Sequence, residues 1–295
     1  MENNHMQGKT VLISGATRGI GKEAALALAR MGARVRISGR SPERVASAVA
    51  EIQEKSQNPN VIGYTSDLSN LAGVEQLASA FRRENDRLDV LVNNAGALFM
   101  NRNTSAEGFE MTWALNHLSY FRLTALLLDL LLSSAPARIV NVSSMAHAMT
   151  GMRFDDLQFN RRYFGWTVYS HSKLANVLFT YELARKLEGS GVTANALHPG
   201  FVATNFGRSN GGFFDPIFRL SHLAAMTPEK GAQTTIYLAS SPEVEGVSGK
   251  YFSNQRAVPS SPASYNLESA RCLWDVTQDM AKVKMPIPVA VRVAS

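Results

Sequence analysis

The sequence predicts an α/β fold, a doubly wound parallel sheet with helices on both faces, and three observations carry that reading. Short apolar runs of strand length alternate with longer segments of helical composition from Lys9 to about Phe252. Glycine, proline or small polar residues punctuate the joins, and no linker interrupts the series, which favours one domain. Repeated strand-helix-strand units close only as a parallel sheet covered on both sides. The 295 residues, 45% hydrophobic and 18% charged, suffice to bury one large core. The domain is expected over 9–283, after a polar extension at 1–8 and before a tail at 284–295.

The elements follow in order. Thr10-Val11-Leu12-Ile13 is an apolar run that stops at Ser14-Gly15, and an alanine- and leucine-rich helical segment runs from Ile20 to Met31. A second strand, Arg34 to Ser38, ends at Gly39-Arg40; Ser41-Pro42-Glu43 then supplies an N-cap, a first-turn proline and an acidic first turn. Further strands are expected at Val61 to Thr65, Leu88 to Asn93, Arg138 to Ser143 and Val192 to His198. Ligands of such sheets bind beyond the carboxyl ends of the strands. Those ends carry Ser14-Gly15, Gly39-Arg40, Asp67-Leu68, Asn93 to Gly96, Ser143-Ser144 and His198-Pro199-Gly200, which should converge on one cleft.

Composition excludes several classes. The formal charge of +6 is spread along the chain and forms no basic arm, which argues against a nucleic-acid partner. Cys272 is the single cysteine, so no intramolecular disulfide can form, and no Cys/His spacing suits a metal. A reducing cytoplasm is the expected compartment. The longest apolar stretch, Leu123 to Leu132, is broken by Asp129 and too short to span a bilayer, and residues 1–8 read as neither signal peptide nor anchor.

Gly15, Gly19 and Gly21 join the first strand to the first helix, with Thr17, Arg18 and Ile20 among them. Glycines allow a pyrophosphate to approach the backbone, and a helix amino terminus offers free N–H groups and a favourable dipole; a glycine turn used only for packing is the plain alternative. Arg40 follows the second strand, where a site for unphosphorylated NAD often carries an acid, and none stands between Ile37 and Pro42. A guanidinium there, with Arg18 as a second, suits a 2′-phosphate and favours NADP(H).

Tyr169 and Lys173 stand four apart on an expected helix and share a face. A free phenol titrates near pH ~10, whereas an adjacent ammonium and an oxidised nicotinamide both favour phenolate, so Lys173 is expected to give Tyr169 a usable pKa. Ser144, at a strand end, can donate to the substrate oxygen, and Asn116 can hold a water that relays protons from Lys173.

Taken together, the turn from Ser14 to Gly21, Asn93-Asn94-Ala95-Gly96, Ser144 with Tyr169 and Lys173, and Pro199-Gly200 with Thr204 resemble the classical short-chain dehydrogenase/reductase family over nearly the whole chain. The resemblance implies a Rossmann-type dinucleotide fold and a tetrad of Asn116, Ser144, Tyr169 and Lys173. It places Asp67 and Leu68 by the adenine, Lys173 on the nicotinamide ribose, and Thr204, after Pro199, Gly200 and Val202, by the nicotinamide amide. It also makes Asn94, Ala95 and Gly96 a support beside the cofactor. Ser14 replaces a frequent threonine but keeps the hydroxyl, and the 25-residue interval from Ser144 to Tyr169 implies an additional loop. That loop, with Phe154 to Gln158, Tyr169 to Asn176 and Leu273-Trp274-Asp275-Val276, is similar to the retinol dehydrogenase-like subgroup.

On the substrate side, Phe206, Phe213, Phe214 and Phe218 lie among glycines in a segment, 205–226, that the resemblance makes a lid over an apolar substrate. Met145, His147 and Trp166, with Met149 and Met152, are candidates for the opposite wall. Packing is the alternative for each of these side chains, and His147, His171 and His198 also read as structural hydrogen-bonding residues. Leu174, Val177, Leu178 and Tyr181 form a helical stripe that serves either the core or a homodimer or homotetramer interface. The expected function is NADP(H)-dependent hydride transfer between nicotinamide and a hydrophobic aldehyde, ketone or alcohol, retinal/retinol-like or otherwise lipophilic. A nucleotide-sensing module and a lyase or epimerase with transient cofactor use are the alternatives.

Overall fold

Every residue of β1 (Thr10–Ile13) and β4 (Val90–Asn93) is buried, as parallel strands coated on both faces require. In the computed structural model, which describes residues 5–200 and 226–288, these two strands lie side by side inside one sheet. Beside β1 lie β2 (Arg34–Gly39) and then β3 (Val61–Thr65); beside β4 lie β5 (Ala137–Val142), β6 (Val192–His198), β7 (Tyr251–Ser253) and β8 (Arg256–Val258). All neighbours pair in parallel except β7 and β8, an antiparallel hairpin at the edge. The order β3-β2-β1-β4-β5-β6-β7-β8 reverses between β1 and β4, where an α/β sheet opens its ligand crevice.

Helices fill both faces. Successive residues of a strand point to opposite sides. Val11 and Ile13 accordingly join the cluster built with α1 (Gly19–Arg30), α2 (Pro42–Ser56) and α7 (Pro228–Ser240), including Leu28, Ile52 and Leu238. Leu12 joins the opposite cluster with α3 (Leu71–Glu84), α5 (Ser119–Ser133) and α6 (Gly165–Lys186), where Phe81, Phe121, Leu128 and Phe179 are buried. Helix starts obey local chemistry: Ser41 Oγ accepts from Arg44 N–H with Pro42 in the first turn of α2, and Asn70 caps α3 through Gly73 N–H.

Before α5 the chain enters through one turn, α4 (Met111–Trp113), and a π-helical turn (Ala114–Leu118). A final helix, α8 (Leu267–Ala281), packs on α5 and α6, with the Trp274 ring 5.2 Å from Phe121 and 6.0 Å from Phe179. That helix settles the stripe on α6. Leu174 and Leu178 meet Ala270 and Leu273 of α8, while Val177 and Tyr181 meet Ala196 and Tyr251 of the sheet. The stripe is core within one chain, so an interface between copies does not use it. Among the described residues no helix is long and apolar enough to cross a membrane.

Candidate active site

The turn after β1 is packed before any ligand is considered. Gly15 has φ +67°, and a Cβ there would lie 2.7 Å from Ala95 Cα; one on Gly21 would lie 2.5 Å from Asn94 Nδ2. Ser14 Oγ accepts from Asn94 N–H at 2.9 Å and Ala95 N–H at 3.1 Å, and Asn94 Nδ2 donates back to the carbonyls of Ser14 and Gly15 at 2.9 and 3.0 Å. Packing therefore explains part of the glycine demand. The rest of the turn suits a pyrophosphate. Arg18, at the N-cap of α1, gives no side-chain cap and the first turn holds no acid; α6 likewise starts uncapped, whereas side chains cap α2, α3, α7 and α8. Thr17 and Ile20 are half-buried beside it, Gly19 has φ +58°, and Arg18 and Arg40 are exposed.

After β3, Asp67 Oδ1 accepts from the N–H and hydroxyl of Ser69. Leu68 turns its side chain into the core, 5% exposed, so what it offers an adenine is backbone.

The candidate reactive groups come from four places on the carboxyl edge. Ser144 follows β5 at the start of a 3-10 turn (Met145–Met149), its Oγ accepting from Ala146 N–H at 3.2 Å. Tyr169 and Lys173, on α6, are 7% and 3% exposed. Lys173 Nζ donates to the Val142 carbonyl at 3.0 Å and stands 5.6 Å from the centre of the Tyr169 ring. Asn116, in the π turn, accepts from Ala97 N–H at 2.9 Å and donates to Ala97 O and Ser172 Oγ at 3.0 Å each. Gly96 closes the group: a Cβ there would be 3.2 Å from Asn116 Oδ1 and 3.5 Å from Lys173 Nζ.

Burial pushes the Tyr169 phenol up to about 12, and the hydrogen bond from Ser144 opposes it. Burial also pulls Lys173 down to about 7, so near neutrality the amine is only partly charged and is itself a proton donor and acceptor.

A family model described as short chain dehydrogenase matches residues 9–211. The chain belongs to the short-chain dehydrogenase family. It is 45% identical over 291 residues to human retinol dehydrogenase 14, covering 93% of this chain and 87% of that one. It is 42% identical over 282 residues to mouse retinol dehydrogenase 12, covering 96% and 89%. An uncharacterized Mycobacterium paratuberculosis structure superposes with TM-score 0.77 at 31% identity, covering 95% of this chain and 96% of that one. Pseudomonas aeruginosa RhlG, solved as an NADP active-site complex, gives TM-score 0.69 at 29% identity, covering 85% and 96%. The chain is thus a retinol dehydrogenase-like oxidoreductase acting on alcohols or carbonyls, in a family that uses a nicotinamide cofactor.

For this dehydrogenase the substrate side is only partly described. Val202, Thr204, Phe206, Phe213, Phe214 and Phe218, and nearly all of the 205–226 segment, lie outside the described residues. Pro199 and Gly200 follow β6, and Gly200 has φ +88°. Met145 and Met149 are 65% and 78% exposed beyond Ser144, and Trp166 meets the Tyr169 ring edge-on at 6.3 Å. His147 does not join them. It is 4% exposed, its Nδ1 donates to the Ser144 carbonyl at 2.7 Å and its Nε2 accepts from Ser261 N–H at 3.0 Å. Both nitrogens are committed to the fold, so His147 braces the Ser144 turn instead of lining the substrate wall.

The interval from Ser144 to Tyr169 is a real excursion tied down along its length: Arg153 N–H donates to His171 Nε2, Glu110 N–H to Gln158 Oε1, Arg102 to Gln158 O and Asn160, and Tyr163 Oη to Phe99 O. Sequence reasoning missed Ser172, the partner of Asn116, although it lies inside the Tyr169–Lys173 motif. It also missed Phe164, 60% exposed just before α6, for which no periodic signal existed.

Proposed function

We propose that this chain transfers hydride between NADP(H) and a hydrophobic aldehyde or ketone, or the matching alcohol, of retinal-like or other lipophilic character. The observation that carries the reading is the convergence of Ser144, Tyr169, Lys173 and Asn116 on the carboxyl edge beside an uncapped α1. The Gly15–Gly21 turn and the α1 amino end would hold the pyrophosphate, Lys173 the nicotinamide ribose, and Arg18 with Arg40 a 2′-phosphate. NADP(H) supplies the hydride and, when oxidised, a positive charge that favours phenolate.

In reduction, Tyr169 Oη gives its proton to the carbonyl oxygen as carbon takes the hydride, and Ser144 Oγ hydrogen-bonds the same oxygen. Lys173, at about 7, can return a proton to the phenolate near neutral pH. In oxidation the same steps run backward. The exposed Met145, Met149 and Phe164 and the Trp166 edge support an apolar substrate, as do relatives named for retinol.

The test is reduced-nicotinamide oxidation with retinal, medium-chain aldehydes, steroids and quinones, using NADPH and NADH. Lipophilic carbonyls turned over with NADPH support the reading; no turnover of any of them, or indifference to the 2′-phosphate, contradicts it. Arg40→Ala should weaken NADPH binding by roughly 10- to 100-fold with NADH little changed, the scale of a lost charge-assisted bond.

A further inference from the structure

His117 and Asn176 take no part in the steps above, yet both are fully buried, at 0% exposure. Buried polar groups are kept where they are hydrogen-bonded, and here each bond has only one possible direction. Asn176 Nδ2 donates to the Asn116 carbonyl at 2.9 Å, and a carbonyl can only accept. The amide oxygen of Asn176 therefore faces His117 Nδ1, 3.2 Å away, which must donate. His117 Nε2 is left as an acceptor, and Thr277 Oγ1 of α8, 3.0 Å away, donates to it. Burial holds the ring neutral, pulling it down to about 4, in keeping with one proton on two nitrogens.

The chain of bonds ends on irregular backbone. In the π turn Ser119 N–H reaches back five residues to Ala114 O, where an α-helix would bond Leu115 O. Side chains take up the next carbonyls: Ser119 Oγ donates to Leu115 O at 2.6 Å, and Asn176 to Asn116 O. The same turn carries the Asn116 side chain onto Ala97 and Ser172.

We propose that His117, Asn176 and Thr277 are positioning residues: Thr277 on α8 orients the His117 ring, the ring orients the Asn176 amide, and the amide holds the π turn that aims Asn116. Helix α8 thereby reaches Asn116 through His117 and Asn176, with no residue of its own in the tetrad. The catalytic consequence rests on the function proposed above; the bonding chain does not.

His117→Phe keeps the bulk and removes the donor, His117→Asn restores an amide donor where Nδ1–H stood, and Thr277→Val removes one hydroxyl. His117→Phe should lower kcat roughly tenfold or more, with carbonyl KM and NADPH affinity within about twofold of wild type. His117→Asn should recover most of the loss, and Thr277→Val should show a smaller fall of the same kind. A His117→Phe enzyme with wild-type kcat, or a loss shared equally with His117→Asn, overturns the catalytic role. Nitrogen NMR of the wild-type protein should find the proton of His117 on Nδ1 at neutral and mildly acidic pH, and amide exchange at Leu118 to Tyr120 should quicken in Thr277→Val. A proton on Nε2, or unchanged exchange, overturns the bonding chain, and these two readouts decide it even if His117→Phe fails to fold. Wild-type protein inactive on every carbonyl, with the NMR and exchange results as expected, defeats the functional reading and leaves the chain of bonds intact.

Discussion

Burial of Lys173 bears on stability as well as on the proposed chemistry. Its folded pKa of about 7 lies below the ordinary 10.5, so between those values the unfolded chain binds more protons and stability rises with pH. From pH ~7 to ~9 this one group should add about 2 kcal/mol. Lys173→Met, of similar length and uncharged, should flatten that rise in denaturant titrations at the two pH values; an unchanged slope would show that the amine is solvated. The Tyr169–Lys173 pair and the hydroxyl of Ser144 were legible in the sequence because their types and order are distinctive. The direction of the Tyr169 shift was not, because it depends on burial, which spacing does not report. Nor was the role of His147, whose two bonds run to Ser144 and to Ser261, 114 residues away.

At the scale of elements, the strands and helices through β6 were readable from apolar runs, the Ser41-Pro42 start of α2 and the glycine turns. Others were not, and three of them show why. The hairpin of β7 and β8 has only three residues per strand, and β8 is exposed throughout, so it carries no pattern. The π turn differs from an α-helix by one residue in the span of its hydrogen bond and leaves no mark in composition. Helix α8 buries a stripe of Ala270, Leu273, Trp274, Thr277 and Ala281, but its middle residues were read only as a likeness in Leu273 to Val276. That helix covers the α6 stripe, so Trp274→Ala should cost about 3–5 kcal/mol in chemical denaturation, the range for truncating a buried large aromatic side chain. A cost below ~1 kcal/mol would mean that α8 is not part of the cooperative fold.

For the whole molecule, the site exists only because the sheet order brings distant segments to one edge. The turn at Gly96, the π turn at Asn116, Ser144 after β5 and the first half of α6 are joined by hydrogen bonds across elements, so local damage spreads. The same burial makes the molecule sensitive to acid. His117, His171 and His198 are pulled down by burial to about 4, 3 and 4, below the ordinary 6.5. Their neutral forms favour the fold above pH 6.5, and that stability is lost as pH falls from there toward 4, because the unfolded chain takes up the protons first. The melting temperature should drop steadily from pH ~7 to ~5; a flat profile would mean that these rings are open to solvent. Whether Tyr169 exchanges the proton while nicotinamide exchanges the hydride is decided by the rate of NADPH-dependent carbonyl reduction in Tyr169→Phe, with NADPH affinity measured on the same protein. A fall of about 100-fold or more in kcat, with affinity for NADPH retained, is expected. Equal rates in the variant and the wild type would contradict it.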